Sequence, residues 1–111
     1  MLAAVVAVTL VGCAQVPVYQ PKTVAATEFQ TARDNVRGYA RTHCGRCHMA
    51  SLPTALPRAL AIYNLDADRW SSTLTAAQLR NGFPRRLNGQ LDDAGKRQLQ
   101  IFIEGELALR N

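Results

Sequence analysis

The sequence is organised around the stretch His43-Cys44-Gly45-Arg46-Cys47-His48. Two cysteines stand three positions apart, and a histidine directly follows the second. Cys-x-x-Cys-His is the attachment pattern of a c-type haem, because the two thiols reach one edge of a flat macrocycle while the next residue aims its imidazole at the iron. The pattern predicts one covalent haem c per chain, with thioether bonds at Cys44 and Cys47 and with His48 as the proximal iron ligand.

Three other interpretations of this motif compete with haem attachment. A thiol-redox Cys-x-x-Cys is expected beside a βαβ pattern, and no strand-like run of sequence flanks this one. A zinc site would use His43, Cys44, Cys47 and His48, but zinc sites usually draw their ligands from two separate segments. The third interpretation is a structural disulfide. We favour haem attachment over all three.

The first twelve residues, MLAAVVAVTLVG, are almost wholly apolar, and the first charged residue is Lys22. The run is shorter than the about 20 apolar residues that a helix needs to span a bilayer. It fits the apolar core of a secretory signal peptide, although no basic region precedes it. We expect residues 1–12 to be a signal peptide, and the residues that end this run indicate a lipoprotein signal peptide in particular.

Leu10-Val11-Gly12-Cys13 resembles the lipobox of bacterial lipoproteins. In that family the chain is cleaved before the cysteine, whose thiol carries lipid, so the resemblance implies lipidation of Cys13. The protein would then be anchored on the periplasmic side of a bacterial membrane, and Ala14 is compatible with the outer membrane. The alternative is an unmodified cysteine in an ordinary signal peptide. One lipidated cysteine and two thioethers would account for all three cysteines.

Composition and charge limit the domain organisation and the partners that the rest of the chain could have. Residues 13–26 are expected to form a lipidated tether, because Pro17 and Pro21 oppose regular structure there. Residues 27–111 are long enough for one small domain. All charges follow Cys13, so the net charge of +5 belongs to the mature chain. This charge suits membrane headgroups or an acidic redox partner, or it is only a solvated surface. We expect no nucleic-acid partner.

Apolar residues at helical spacing predict an all-α domain. A first helix, capped by Thr23 or Thr27, should run into the motif. A short helix is expected over Arg58–Tyr63, and Asp66 and Thr75 are expected to cap two more. The apolar face of the first helix would consist of Phe29, Ala32, Val36, Tyr39 and Ala40.

The last helix should start at Asp92 or Asp93 and cross the first near Val36 and Tyr39. Prolines and an Asn-Gly pair predict loops over 49–57 and 81–91. Side chains that are candidates to pair with haem propionates are Trp70, Arg85 and Arg86. We favour simple packing for Trp70 over this role, and the two arginines could equally be solvated.

In this order of elements, residues 27–110 resemble a class I cytochrome c. The resemblance implies a small all-α, cytochrome c-like bundle in which the N- and C-terminal helices cross around a covalent haem. It also implies electron transfer through the exposed haem edge, so we expect a redox partner protein and no enzymatic activity.

One feature departs from the family pattern, in which a methionine after the motif is usually the second axial ligand. The only methionines here are Met1 and Met49, and no histidine follows His48. We expect the sixth position to be empty, to hold water, or to take a weak ligand such as Asn88 or Lys96, or else a residue from another chain. An open iron would make the chain a haem module that binds a small ligand, for example as a gas sensor. The segment that should supply the ligand contains Asn81, Arg85, Arg86 and Asn88.

Overall fold

The computed structural model describes residues 19–110, and within them every regular element is helical. A 3₁₀ turn over Trp70–Thr73 precedes a π-helical segment over Gln78–Gly82, which continues directly into the third α-helix. The all-α prediction is therefore confirmed. The predicted signal peptide and Cys13 lie outside the described residues. The four α-helices are α1 (Tyr19–His48), α2 (Pro57–Ile62), α3 (Phe83–Asn88) and α4 (Asp93–Leu109).

Helix α1 begins at Tyr19, earlier than the predicted cap at Thr23 or Thr27. Pro21 lies in its first turn, where the missing amide hydrogen removes no intrahelical hydrogen bond. The irregular structure predicted before residue 27 is thus wrong from Tyr19 onward. Within residues 19–110, no helix has both the length and the apolar character that are needed to cross a bilayer.

Helix α4 packs against α1, as the sequence predicted. Val36 of α1 and Phe102 of α4 are fully buried in one apolar cluster. The helices approach so closely at Gly105 that a Cβ atom there would lie 2.6 Å from Cε1 of Phe29. The packing of α1 against α4 therefore depends on glycine at position 105, which has no side chain, as well as on apolar burial.

A buried carboxylate ties α4 to the 3₁₀ turn. Glu106, which is 6% exposed, accepts hydrogen bonds from the Ser71 hydroxyl at 2.6 Å and from Arg110 at 3.1 Å. Arg110 also donates to the backbone carbonyls of Ser71 and Leu74. Arg33 of α1 lies 3.8 Å from Glu106. Because the buried charge is hydrogen-bonded and paired, it fixes the turn against both long helices instead of destabilising the fold.

The predicted helix after Asp66 is absent, because this carboxylate bonds elsewhere. It accepts the backbone N–H of Ser51 at 2.8 Å, and this hydrogen bond holds the pKa of Asp66 below its usual value. Arg37 and Arg41 of α1 both donate to the carbonyl of Leu65. The segment around Asp66 is thereby fastened to α1 as a series of turns.

The predicted cap at Thr75 is confirmed, whereas the predicted loop over 81–91 is wrong for most of its length. Gln78 donates its backbone N–H to Thr75 Oγ1 at 3.1 Å, and its side-chain oxygen accepts the Thr75 N–H at 2.8 Å. This is a reciprocal capping box. The helix does not end at Asn81-Gly82 but continues through the π-helical segment into α3. Pro84 lies in the first turn of α3, where proline is tolerated.

Helix α4 starts as predicted, because the Asp92 carboxylate accepts the backbone N–H of Gly95 at 2.8 Å.

We predict that Gly105→Ala destabilises the protein by about 1–3 kcal/mol, because the added methyl group overlaps the ring of Phe29. Gly38→Ala on α1 is the matched control, since an added Cβ there meets nothing within 4 Å. Alanine at this exposed helical position should stabilise by about 0.5–1 kcal/mol. Urea unfolding followed by circular dichroism measures both. Equal or greater stability of Gly105→Ala than of wild type contradicts the close contact.

Candidate haem-attachment site

A cavity of about 380 Å³ lies at the C-terminal end of α1. Its volume falls within the range of roughly 300–1,000 Å³ that is typical of ligand pockets. Cys44, Cys47 and His48 all line it, so the structure brings the three predicted site residues to one cavity. The other walls come from α2, from Tyr63 and from the π-helical segment and the start of α3.

The last turn of α1 holds the two thiols on one side of the helix. Cys44 and Cys47 are one helical turn apart, half-buried and not joined in a disulfide. Loop residues satisfy the helix-end carbonyls: Leu56 N–H donates to Cys47 O at 3.1 Å, and Leu65 N–H donates to His48 O at 2.8 Å. The end of a helix normally leaves such carbonyls without partners. The motif is therefore fixed in position by the loops that follow it.

The imidazole of His48 is oriented by Tyr63. Nδ1 of His48 lies 3.0 Å from the backbone carbonyl oxygen of Tyr63. A carbonyl can only accept, so Nδ1 carries the proton and Nε2 keeps its lone pair. The two rings stack with centroids 3.7 Å apart and planes inclined by 3°. Metal-ligating histidines usually have their second nitrogen held by a hydrogen bond of this kind.

Tyr63 also interacts with Cys44, and no pattern in the sequence indicates this role. Burial raises the pKa of the Cys44 thiol, and a hydrogen bond from Tyr63 and the positive charge of Arg86 partly offset that rise. Burial and the neighbouring Cys44 likewise raise the pKa of Tyr63 well above its usual value. The phenol is therefore held in its neutral, hydrogen-bond-donating form. One side chain thus connects the Cys44 thiol with the His48 imidazole.

Two arginines bring positive charge to the cavity. Arg58 and Arg86 line it, and none of its lining residues is acidic. Arg86 Nη1 donates to the carbonyl of Gly82 in the π-helical segment at 3.1 Å, which holds its guanidinium in place. Of the two arginines proposed from sequence, Arg86 is at the cavity and Arg85 is not. The sequence did not indicate Arg58 as a cavity residue, because it only marked the start of the short helix predicted over Arg58–Tyr63.

Trp70 has a buried indole N–H with no hydrogen-bond partner. The residue does not line the cavity but lies behind it, with its ring centroid 6.2 Å from that of Tyr63 and 6.0 Å from that of Phe83. Its burial in the core agrees with the simple packing that we favoured from the sequence.

The structure does not bring the proposed weak iron ligands to this cavity. Asn88 and Lys96 line a second, shallower depression between α3 and α4. His43 is exposed and does not line the cavity. Met49 lies beside the motif, where a Cβ on Gly45 would be 2.8 Å from its sulfur, and it does not line the cavity.

One of the alternative interpretations finds little support in the geometry. Across residues 19–110, no group of three or more His, Cys, Asp or Glu side chains is placed to hold a metal ion, as a zinc site would require.

Comparison with known proteins finds no matching protein family, no similar curated protein and no similar solved structure.

We predict that Tyr63→Phe raises the pKa of the Cys44 thiol in the haem-free protein. The phenol no longer donates to the thiolate, while the ring and the carbonyl that holds His48 are retained. Alkylation rate against pH, resolved for each cysteine by mass spectrometry, measures the shift. Tyr39→Phe is the control, and a shift no larger than in that control contradicts the contact.

Proposed function

We propose that this protein is a c-type cytochrome: a haem c-binding electron-transfer protein with thioether bonds at Cys44 and Cys47 and with His48 as axial ligand. The observation that carries the proposal is the shared cavity, in which the two thiols lie beside an imidazole whose Nδ1 is already bonded. An imidazole held in this tautomer is ready to bind iron through Nε2.

The chemistry of the cavity suits a haem in three respects. Two thiols and an imidazole supply the attachment groups, and two guanidiniums suit the two propionates. The remaining walls are mainly apolar, as a porphyrin requires, and include Ile62, Leu74 and Phe83. The haem would supply a reversible one-electron couple at its iron.

The chain's own residues would tune that couple. The hydrogen bond from His48 to the Tyr63 carbonyl increases the electron-donating strength of the imidazole, which favours oxidised iron. A methionine ligand normally raises the potential, and none lines the cavity. Both effects lower the reduction potential relative to a cytochrome with His and Met ligands. Arg58 and Arg86 act in the opposite direction, because positive charge near the iron favours its reduced form.

The location follows from the sequence outside the described residues. We place the protein on the periplasmic side of a bacterial membrane, anchored through lipidated Cys13, with the domain facing a redox partner. The net charge of +5 suits an acidic partner surface.

A second candidate function is binding of a small molecule at the iron. It is favoured by the cavity lining, which contains no methionine, no lysine and no histidine besides His48.

The proposal predicts how each cysteine variant behaves when the chain is exported together with a haem c maturation system. Cys44→Ala and Cys47→Ala should each lose one thioether, so the α-band of the reduced pyridine derivative shifts to longer wavelength. The double variant should retain no haem after denaturation. Cys13→Ala is the matched control, because it should keep both thioethers and lose only membrane association. Two thioethers in Cys44→Ala contradict the assignment.

A further inference from the structure

The cavity that would hold the haem contains few groups able to reach the iron as a second axial ligand. Beyond the three motif residues, its nitrogen- or oxygen-bearing side chains are Arg58, Tyr63, Gln78 and Arg86. A guanidinium stays protonated in proteins and offers no lone pair, so neither arginine is a ligand. The choice therefore falls between Tyr63 and Gln78.

Tyr63 is committed to the proximal side. Its ring stacks on the imidazole of His48, and its carbonyl accepts from the same imidazole. Tyr63 therefore cannot serve both axial positions.

Of the two polar groups in the side chain of Gln78, only Nε2 lacks a hydrogen-bond partner among the described residues, and this group is a donor. Its side-chain oxygen accepts the Thr75 N–H at 2.8 Å, while its backbone N–H donates to Thr75 Oγ1 at 3.1 Å. The planar amide is thereby fixed with its oxygen turned to Thr75. No acceptor for its side-chain Nε2 is found among residues 19–110, and Gln78 lines the same cavity as His48. It begins the π-helical segment, an irregularity that is frequent at functional sites.

We propose that the sixth position of the iron is open to a small neutral diatomic molecule, and that Nε2 of Gln78 donates a hydrogen bond to that molecule. The proposal rests on the haem attachment proposed above. A neutral ligand is favoured because Arg58 and Arg86 would be neutralised by the propionates, which leaves mainly apolar walls such as Leu74 and Phe83. A diatomic ligand that prefers ferrous iron would also raise the reduction potential by linkage, so ligand concentration would control electron transfer.

The test uses the full-length holoprotein, reduced at pH 8, with carbon monoxide as the probe. Soret spectra give the affinity, and infrared spectra give the C–O stretching frequency, which falls when a donor contacts the bound molecule. Gln78→Glu keeps the oxygen that accepts from Thr75 and removes the amide donor. Loss of a hydrogen bond worth about 1 kcal/mol should lower the affinity about fivefold, and the stretching frequency should rise.

Two further variants separate this effect from a general disturbance of the segment. Asn81→Asp makes the same amide-to-acid change at an exposed position that does not line the cavity, and it should leave both readouts unchanged. Gln78→Leu removes the donor without adding charge and should also raise the stretching frequency. Thermal unfolding of each holoprotein verifies that the fold is retained.

The outcomes of these experiments separate a failure of the proposed Gln78 hydrogen bond from a failure of the proposed haem attachment. If no haem remains on the denatured chain, the proposed haem attachment fails. If haem is covalently attached but the reduced iron is low-spin and does not bind carbon monoxide, only the open position is wrong. If carbon monoxide binds and Gln78→Glu behaves as Asn81→Asp does, the role of Gln78 is overturned.

Discussion

The contact between His48 and Tyr63 is the constraint on which the candidate site depends. His48 is the last residue of α1, and Tyr63 directly follows α2, so this contact joins the ends of two helices. The hydrogen bond at Nδ1 and the stacked rings fix the imidazole in position and in tautomer. Backbone bonds from Leu56 and Leu65 to the final carbonyls of α1 hold the same corner. The cavity beside Cys44 and Cys47 lies between this corner and the π-helical segment.

The rest of the fold supports that corner from behind. Tyr63 packs edge-on against Trp70 and Phe83, and Trp70 stacks on Phe102 of α4 with ring centroids 5.3 Å apart. The paired carboxylate of Glu106 fixes the turn that carries Trp70. A continuous aromatic cluster therefore runs from the α1–α4 interface to the imidazole. Stability and site geometry are coupled through it, because loosening the helix pair also loosens the support of Tyr63.

Elements fixed by local chemistry could be predicted from the sequence, and elements fixed by distant partners could not. The caps at Thr75 and Asp92 need only residues three positions away, and both predictions are confirmed. Asp66 carries the same local signal, but Ser51 captures its carboxylate across the fold. The Asn-Gly pair at 81–82 reads as a helix end, yet the chain continues as a π-helix into α3. At the site, Cys44, Cys47 and His48 were found by spacing. Tyr63, Arg58 and Gln78 reach the cavity only through tertiary contacts, which leave no pattern in the sequence.

The haem that we propose at this corner would be detected by the intact mass of the denatured polypeptide after export with and without a haem c maturation system. We expect a mass increase of one haem per chain, dependent on maturation and located by peptide mapping on the segment that contains Cys44 and Cys47. A chain whose mass is the same under both conditions, with both thiols still free to alkylate, would contradict it.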